Sequence, residues 1–147
     1  NKRETNELIN NKIKSSLDRN LKILFCIGES LKEKQSKKTK RILSNQIKRG
    51  LNKIRKIKNI IVAYEPVWSI GTGIIPKNNE LKNNILFIKK LLKKRFKCIN
   101  PVVLYGGSVN PENIKDLSEI NQIDGFLIGG SSQKSNKFID IIKKTFN

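Results

Sequence analysis

Apolar residues along this chain fall into two alternating patterns. Short unbroken runs, Ile23 to Ile27, Ile60 to Tyr64, Val102 to Tyr105 and Phe126 to Ile128, are separated by longer stretches in which apolar side chains recur at three- and four-residue steps. The runs lack the in-and-out alternation of a strand with one wet face, so both of their faces are expected to be buried, as in a parallel sheet covered by helices. Leu43, Ile47, Leu51 and Ile54 mark one amphipathic helix, and Leu81, Ile85, Ile88, Leu92 and Phe96 another. Ahead of the first run, Leu8, Ile9, Ile13 and Leu17 predict a helix with Thr5 as its N-cap and Asn20 as its stop. Asn110, Pro111 and Glu112 read as cap, first helical residue and first-turn acid, and a last helix is expected to turn Phe138, Ile139, Ile142 and Phe146 inward.

The order is one helix followed by strand and helix repeated four times, which predicts an α/β protein with parallel strands and right-handed crossovers. No linker or low-complexity break divides residues 1–147, so they are expected to form one unit.

Composition changes this picture little. The 31 Lys and Arg against 12 Asp and Glu give a formal charge of +19, which raises nucleic-acid binding or attraction of an anionic substrate. The lysines are spread through the helices with no aromatic platform beside them, and lysine, asparagine and isoleucine are over-used together, so codon drift explains the charge better than a nucleic-acid face. Cys26 and Cys98 have no metal-ligand spacing and there is no histidine, which argues against a zinc site. No apolar stretch approaches the roughly 18 residues of a membrane span, and no signal peptide opens the chain, so a soluble cytoplasmic protein is expected. There is no methionine, position 1 included; either the initiator has been removed or the chain belongs to something longer.

The unusual residues come just after the runs: Gly28 and Glu29, then Glu65 and Pro66, then Gly106, Gly107 and Ser108, then Gly129, Gly130 and Ser131. In α/β folds the carboxyl ends of parallel strands form the ligand face, so these loops are expected to converge. Consecutive glycines let backbone N–H groups approach an anion, and two such pairs after successive strands favour a phosphate over ordinary turns. Pro66 restricts Glu65 to extended backbone and so aims its carboxylate. Trp68 is a large apolar body on a loop, and Gly71 and Gly73 let that loop swing. A stiff hinge, an apolar flap and a flexible end describe a lid.

The stretch "AYEPVWSIGTG", Ala63 to Gly73, resembles the catalytic strand and lid of the triosephosphate isomerase family. "LFCIGES", "LYGGSVNPEN" and "DGFLIGGSS" are similar to that family's later motifs, in the same order and at nearly the same spacing, from about Glu4 to the C-terminus. The resemblance implies a (βα)8 barrel, here its C-terminal half of about four βα units preceded by one helix. It implies interconversion of dihydroxyacetone phosphate and glyceraldehyde 3-phosphate without metal or cofactor, by a protein that is usually a homodimer, with no nucleic-acid or membrane partner. By the same resemblance Glu65 is the general base, and Pro66, Val67, Trp68, Ser69, Ile70, Gly71, Thr72 and Gly73 form the lid. The N–H of Gly71, the Ser108 group and the N–H groups of Gly129 and Gly130 hold the phosphate, and Glu29 and Tyr105 support the lid. A carboxylate closed under an apolar flap loses solvation and becomes a stronger base toward a C–H, while excluded water protects an enediolate from losing phosphate.

The family's lysine after the first strand and histidine after the fourth have no counterpart here, so this stretch alone is expected to be nearly inactive, since one lost oxyanion donor costs about 10²–10³ in rate. Where the family continues beyond the lid with a lysine, a small residue and alanine, this chain has Ile74, Ile75 and Pro76. The family's tyrosine matching Tyr105 bonds a backbone N–H at the place of Pro76, which has none, so a weakened latch is expected. Arg3 stands where the family usually has glycine. Other readings are a different phosphate-binding barrel, a non-catalytic or degenerate half-barrel, and a basic nucleic-acid module. The Glu-Pro-Val-Trp lid argues against the first, and retention of Glu65, Ser108 and both glycine pairs against decay.

Overall fold

The computed structural model of the chain describes residues 4–146, so Arg3 lies outside the described residues. Helix α1 (Asn6–Asp18) begins at Thr5, whose hydroxyl accepts from the Leu8 N–H at 3.2 Å. It ends where Asn20 takes a left-handed φ of 56°, a conformation its short polar side chain tolerates. Three parallel strands follow in spatial order, β1 (Ile23–Ile27), β2 (Ile60–Tyr64) and β3 (Val103–Tyr105). Ile23 registers with Ile60 and Val62 with Val103.

Between β1 and β2 lie α2 (Leu31–Gln35) and α3 (Thr39–Gly50). Apolar spacing gave no hint of α2, which is short and buries nothing; a reciprocal capping box between Ser30 and Glu33 starts it. Helix α4 (Asn78–Phe96) connects β2 to β3, and α5 (Ile114–Ser118), a single turn of 3₁₀ helix (Gly130–Gln133) and α6 (Ser135–Phe146) complete the chain. Ile54 lies beyond the end of α3, although it still packs on the core. Asn110 does cap a turn, its Oδ1 accepting from the N–H groups of Glu112 and Asn113 at 3.0 Å, but regular helix begins only at Ile114.

The core lies between one face of the sheet and the helices. Phe25, Ile27, Val62, Tyr64, Val103 and Tyr105 meet Leu43, Ile47, Leu81, Ile85, Ile88 and Leu92 there, all of them buried. Each such aliphatic side chain contributes about 1.5–3 kcal/mol on leaving water.

Three further expectations are corrected. Strand β1 is not buried on both faces: Leu24 is 41% exposed and Cys26 is exposed, whereas in β2 Ala63 on the same face is buried. The run Phe126 to Ile128 is not a regular strand. It joins β3 through a single parallel bridge, Tyr105 with Phe126, and through Tyr105 N–H to Gly125 O and Leu127 N–H to Tyr105 O at 3.0 and 2.9 Å. Among the described residues its far edge has no partner to extend the ladder. Finally, α6 does not bury its apolar stripe: Ile141 is buried, but Phe138, Ile139, Ile142 and Phe146 are exposed, Phe146 by 83%. Most of them border an open apolar groove of about 640 Å³ shared with Leu117 and Phe126.

Candidate active site

Hydrogen bonding along the sheet delivers Glu65 to the carboxyl end of β2. Its N–H donates to Ile27 O at 2.7 Å, and the Gly106 N–H donates to Tyr64 O at 2.9 Å, which brings the ends of β1, β2 and β3 level. The neighbouring strands make room for it with glycine. A Cβ on Gly28 would stand 1.8 Å from Glu65 O, and one on Gly106 would stand 2.6 Å from its Cγ and 2.7 Å from Oε1. The side chain of Glu65 therefore lies directly across Gly106, half-buried. Gln46 of α3 fixes the Gly28 turn, its Nε2 donating to Gly28 O and its Oε1 accepting from Gly28 N–H. Cys26 lies on the same face as Glu65; the residue as a whole is exposed, but desolvation of its sulfur by the atoms packed around it, then the Glu65 charge, push its thiol up to about 12.

Behind this carboxylate sits a second one. Glu29 is fully buried and accepts from the Tyr64 hydroxyl at 3.2 Å and from Trp68 Nε1 at 2.9 Å. Asn84 Nδ2 donates to the same hydroxyl at 2.9 Å, so the phenol is both held and oriented. Burial and the Glu29 charge raise the Tyr64 phenol far above its ordinary range, which keeps it a donor. A buried carboxylate is tolerated only when such donors satisfy it.

The segment from Pro66 to Gly73 is pinned along its length. Val67 N–H donates to Glu29 O at 3.0 Å, and the Trp68 ring carries the Lys34 ammonium 4.1 Å from its centroid, Lys34 itself pairing with Glu80. Ser69 is buried, its Oγ 3.0 Å from the Tyr105 hydroxyl, while Gly71 and Gly73 take left-handed φ values of 70° and 78°. Thr72 Oγ1 donates back to Trp68 O, and Gly73 N–H donates to Ser108 Oγ at 2.9 Å. Val67 and Ile70 remain about half exposed, so the outer side of the segment is wet. Burial raises the Tyr105 phenol to about 12. Tyr105 thus contacts a side chain of this segment, and Pro76 is buried nearby in sequence.

Ser108 stands in a turn fixed by Asn113 Nδ2 donating to its carbonyl at 2.7 Å. Gly129 and Gly130 open the 3₁₀ turn, which Ser131 Oγ ties to Val109 O at 2.8 Å. A Cβ on Gly129 or Gly130 would meet nothing within 4 Å, so the space before their backbone is open. The strand-end loops are thus joined by direct contacts: Glu29 with Trp68, Glu65 with Gly106, Gly73 with Ser108, and Ser131 with Val109.

Several contributors escaped the sequence reading. Asn84 and Gln46 were discoverable as polar residues on otherwise apolar helical stripes, three residues after Leu81 and Leu43 respectively. Lys34 gave no signal, being one lysine among many.

A parallel sheet whose carboxyl-end loops gather a carboxylate, close-packed glycines and a pinned tryptophan segment is an α/β arrangement of the kind in which ligand sites lie at the strand ends. The triosephosphate isomerase family model matches residues 1–145, and the chain belongs to that family. The chain is 43% identical over 142 residues to the triosephosphate isomerase of Thermodesulfovibrio yellowstonii, covering 95% of this chain and 58% of that protein. The Dictyoglomus turgidum enzyme is 39% identical over 145 residues and the Leptospira interrogans enzyme 41%, each again covered over 58% of its length. The chain therefore spans a little over half the length of the curated relatives it matches.

Proposed function

We propose that this chain supplies the C-terminal half of a (βα)8 barrel that interconverts dihydroxyacetone phosphate and glyceraldehyde 3-phosphate. The observation that carries the reading is Glu65, a carboxylate laid across Gly106 at a strand end, beside a segment anchored through Trp68 to Glu29. Glu65 takes a proton from one carbon of the substrate, leaving an enediolate, and returns it to the adjacent carbon. General base catalysis of this kind contributes about 10²–10⁴-fold. The N–H groups of Gly71, Gly129 and Gly130 and the Ser108 hydroxyl hold the phosphate. The open space before Gly129 and Gly130 and the net charge of +19 suit an anion. Pro66 to Gly73 is the lid, with Glu29 and Tyr105 as its supports. The lysine and histidine that polarise the substrate oxygen come from the other half of the barrel. That half also covers the exposed face of β1 and the groove beside α6, and it supplies the homodimer contacts of a cytoplasmic enzyme.

The test is a coupled isomerase assay on the complete polypeptide and its Glu65→Gln variant. Turnover of the parent with a loss of about 10²–10⁴-fold in the variant is expected. Near-normal activity in a folded Glu65→Gln enzyme would remove Glu65 from the role of base, and an inactive complete parent would remove the isomerase reading itself.

A further inference from the structure

Ser69 sits within a segment whose neighbours Val67 and Ile70 are about half exposed, yet its own side chain is 0% exposed. Its Oγ donates to Ile74 O at 2.6 Å, accepts from Ser108 N–H at 3.2 Å and stands 3.0 Å from the Tyr105 hydroxyl. A serine hydroxyl has one proton to give and two lone pairs. With the proton committed to Ile74, Tyr105 must be the donor of the remaining bond, and the capacity of the hydroxyl is filled. The partners come from different places: the chain just past the segment, the end of β3, and the turn that carries Ser108. Gly107 is shaped around the same pair, since a Cβ there would stand 2.1 Å from the Tyr105 hydroxyl and 2.5 Å from Ser69 Oγ.

We infer that Ser69 is a positioning residue, a side-chain latch that holds the segment from Pro66 to Gly73 down and couples its position to the Ser108 turn. The inference rests on the isomerase reading for its catalytic consequence, while the latch itself is a property of the fold. Ser108 receives Gly73 N–H on its hydroxyl and gives its own N–H to Ser69, so segment and turn are bound in both directions. Breaking the hub frees the segment to lift, and a lifted lid lets water reach an enediolate and lets phosphate depart from it. In that side reaction the electron pair of the enediolate expels the phosphate from the adjacent carbon, so the lost flux appears as inorganic phosphate.

The experiment compares the complete protein with its Ser69→Ala variant. Expected are a fall in kcat of about tenfold, a rise in inorganic phosphate released per turnover of about tenfold, and faster solvent exchange of the Trp68 indole N–H by NMR. A merely structural serine would lower stability and leave phosphate release per turnover unchanged. Should Ser69→Ala fail to fold, Tyr105→Phe, which keeps the ring and removes only the donor, is expected to show the same pattern more weakly. Unchanged phosphate partition and unchanged Trp68 exchange in a folded variant overturn the latch. If the parent does not isomerise, the proposed activity fails, and the Trp68 exchange rates still decide whether Ser69 latches the segment.

Discussion

Side chains added at Gly106 and Gly28 would crowd different parts of Glu65, and that difference separates the proposed catalytic role from folding. A Cβ on Gly106 would stand 2.6 Å from Glu65 Cγ and 2.7 Å from Oε1, whereas ordinary contact begins at 3.4 Å, so Gly106→Ala must push the Glu65 side chain from Cγ outward by about 0.7–0.8 Å. The displaced atoms are the end of a rotatable side chain, so the stability cost is that of an off-rotamer torsion, about 0.5–1.5 kcal/mol. A misplacement of about 1 Å costs on the order of 10² in rate, which puts the expected loss in kcat at tens to a hundredfold. Gly28→Ala is the opposite case. Its Cβ would lie 1.8 Å from the Glu65 carbonyl, a backbone atom in a ladder, and the end of the strand must move. That variant should lose several kcal/mol or not accumulate, in line with severe overpacking. The assay is kcat and a urea unfolding midpoint on the complete protein, measured on the same preparations. A Gly106→Ala enzyme with kcat within about twofold of the parent, or one that unfolds as readily as Gly28→Ala, would refute the placement of Glu65 over Gly106 as the functional geometry.

Further outcomes follow from the same geometry. Trp68→Phe removes the donor to Glu29, a hydrogen bond to a charged acceptor worth about 1.5–3 kcal/mol, and should lower kcat about tenfold or more without preventing folding. The unfolded Cys26 thiol and Tyr105 phenol titrate at their ordinary 9.0 and 10.0, but the folded protein holds both to about 12. The folded state therefore binds more protons between those values, so the stability these groups contribute is complete below about pH 9 and is lost as pH rises toward 12. Urea midpoints across that window should fall, and Tyr105→Phe should fall less steeply. Glu65→Gln removes a neighbouring charge from Cys26, so alkylation of Cys26 by iodoacetamide should speed up severalfold while Cys98 is unaffected. Equal Cys26 rates in both proteins would contradict the proximity of the two side chains.

The alternation of helices with the first three strands, and the placing of Glu29, Glu65 and Ser108 just past the strand ends, were legible along the chain because both depend on local rules. Helical stripes set α3 and α4, Thr5 set the start of α1, and the proline and glycines flanking Glu65 announced a stiff and then a flexible segment. Where the reading failed, the missing information was the neighbour. A continuous apolar run says that a strand wants cover on both faces, but Leu24 and Cys26 show that cover comes from other parts of a sheet, not from the run itself. The stripe of Phe138, Ile142 and Phe146 says that α6 wants a partner without saying where that partner lies.

The sequence by itself determined which residues could do chemistry, since residue type and the restrictions of proline and glycine are properties of each position. Only the tertiary structure decided which of them act together. Asn84 and Gln46 joined the candidate site, and Ser69 gained its partners there, because distant segments meet, and a buried hydroxyl or amide must find its partners wherever packing puts them.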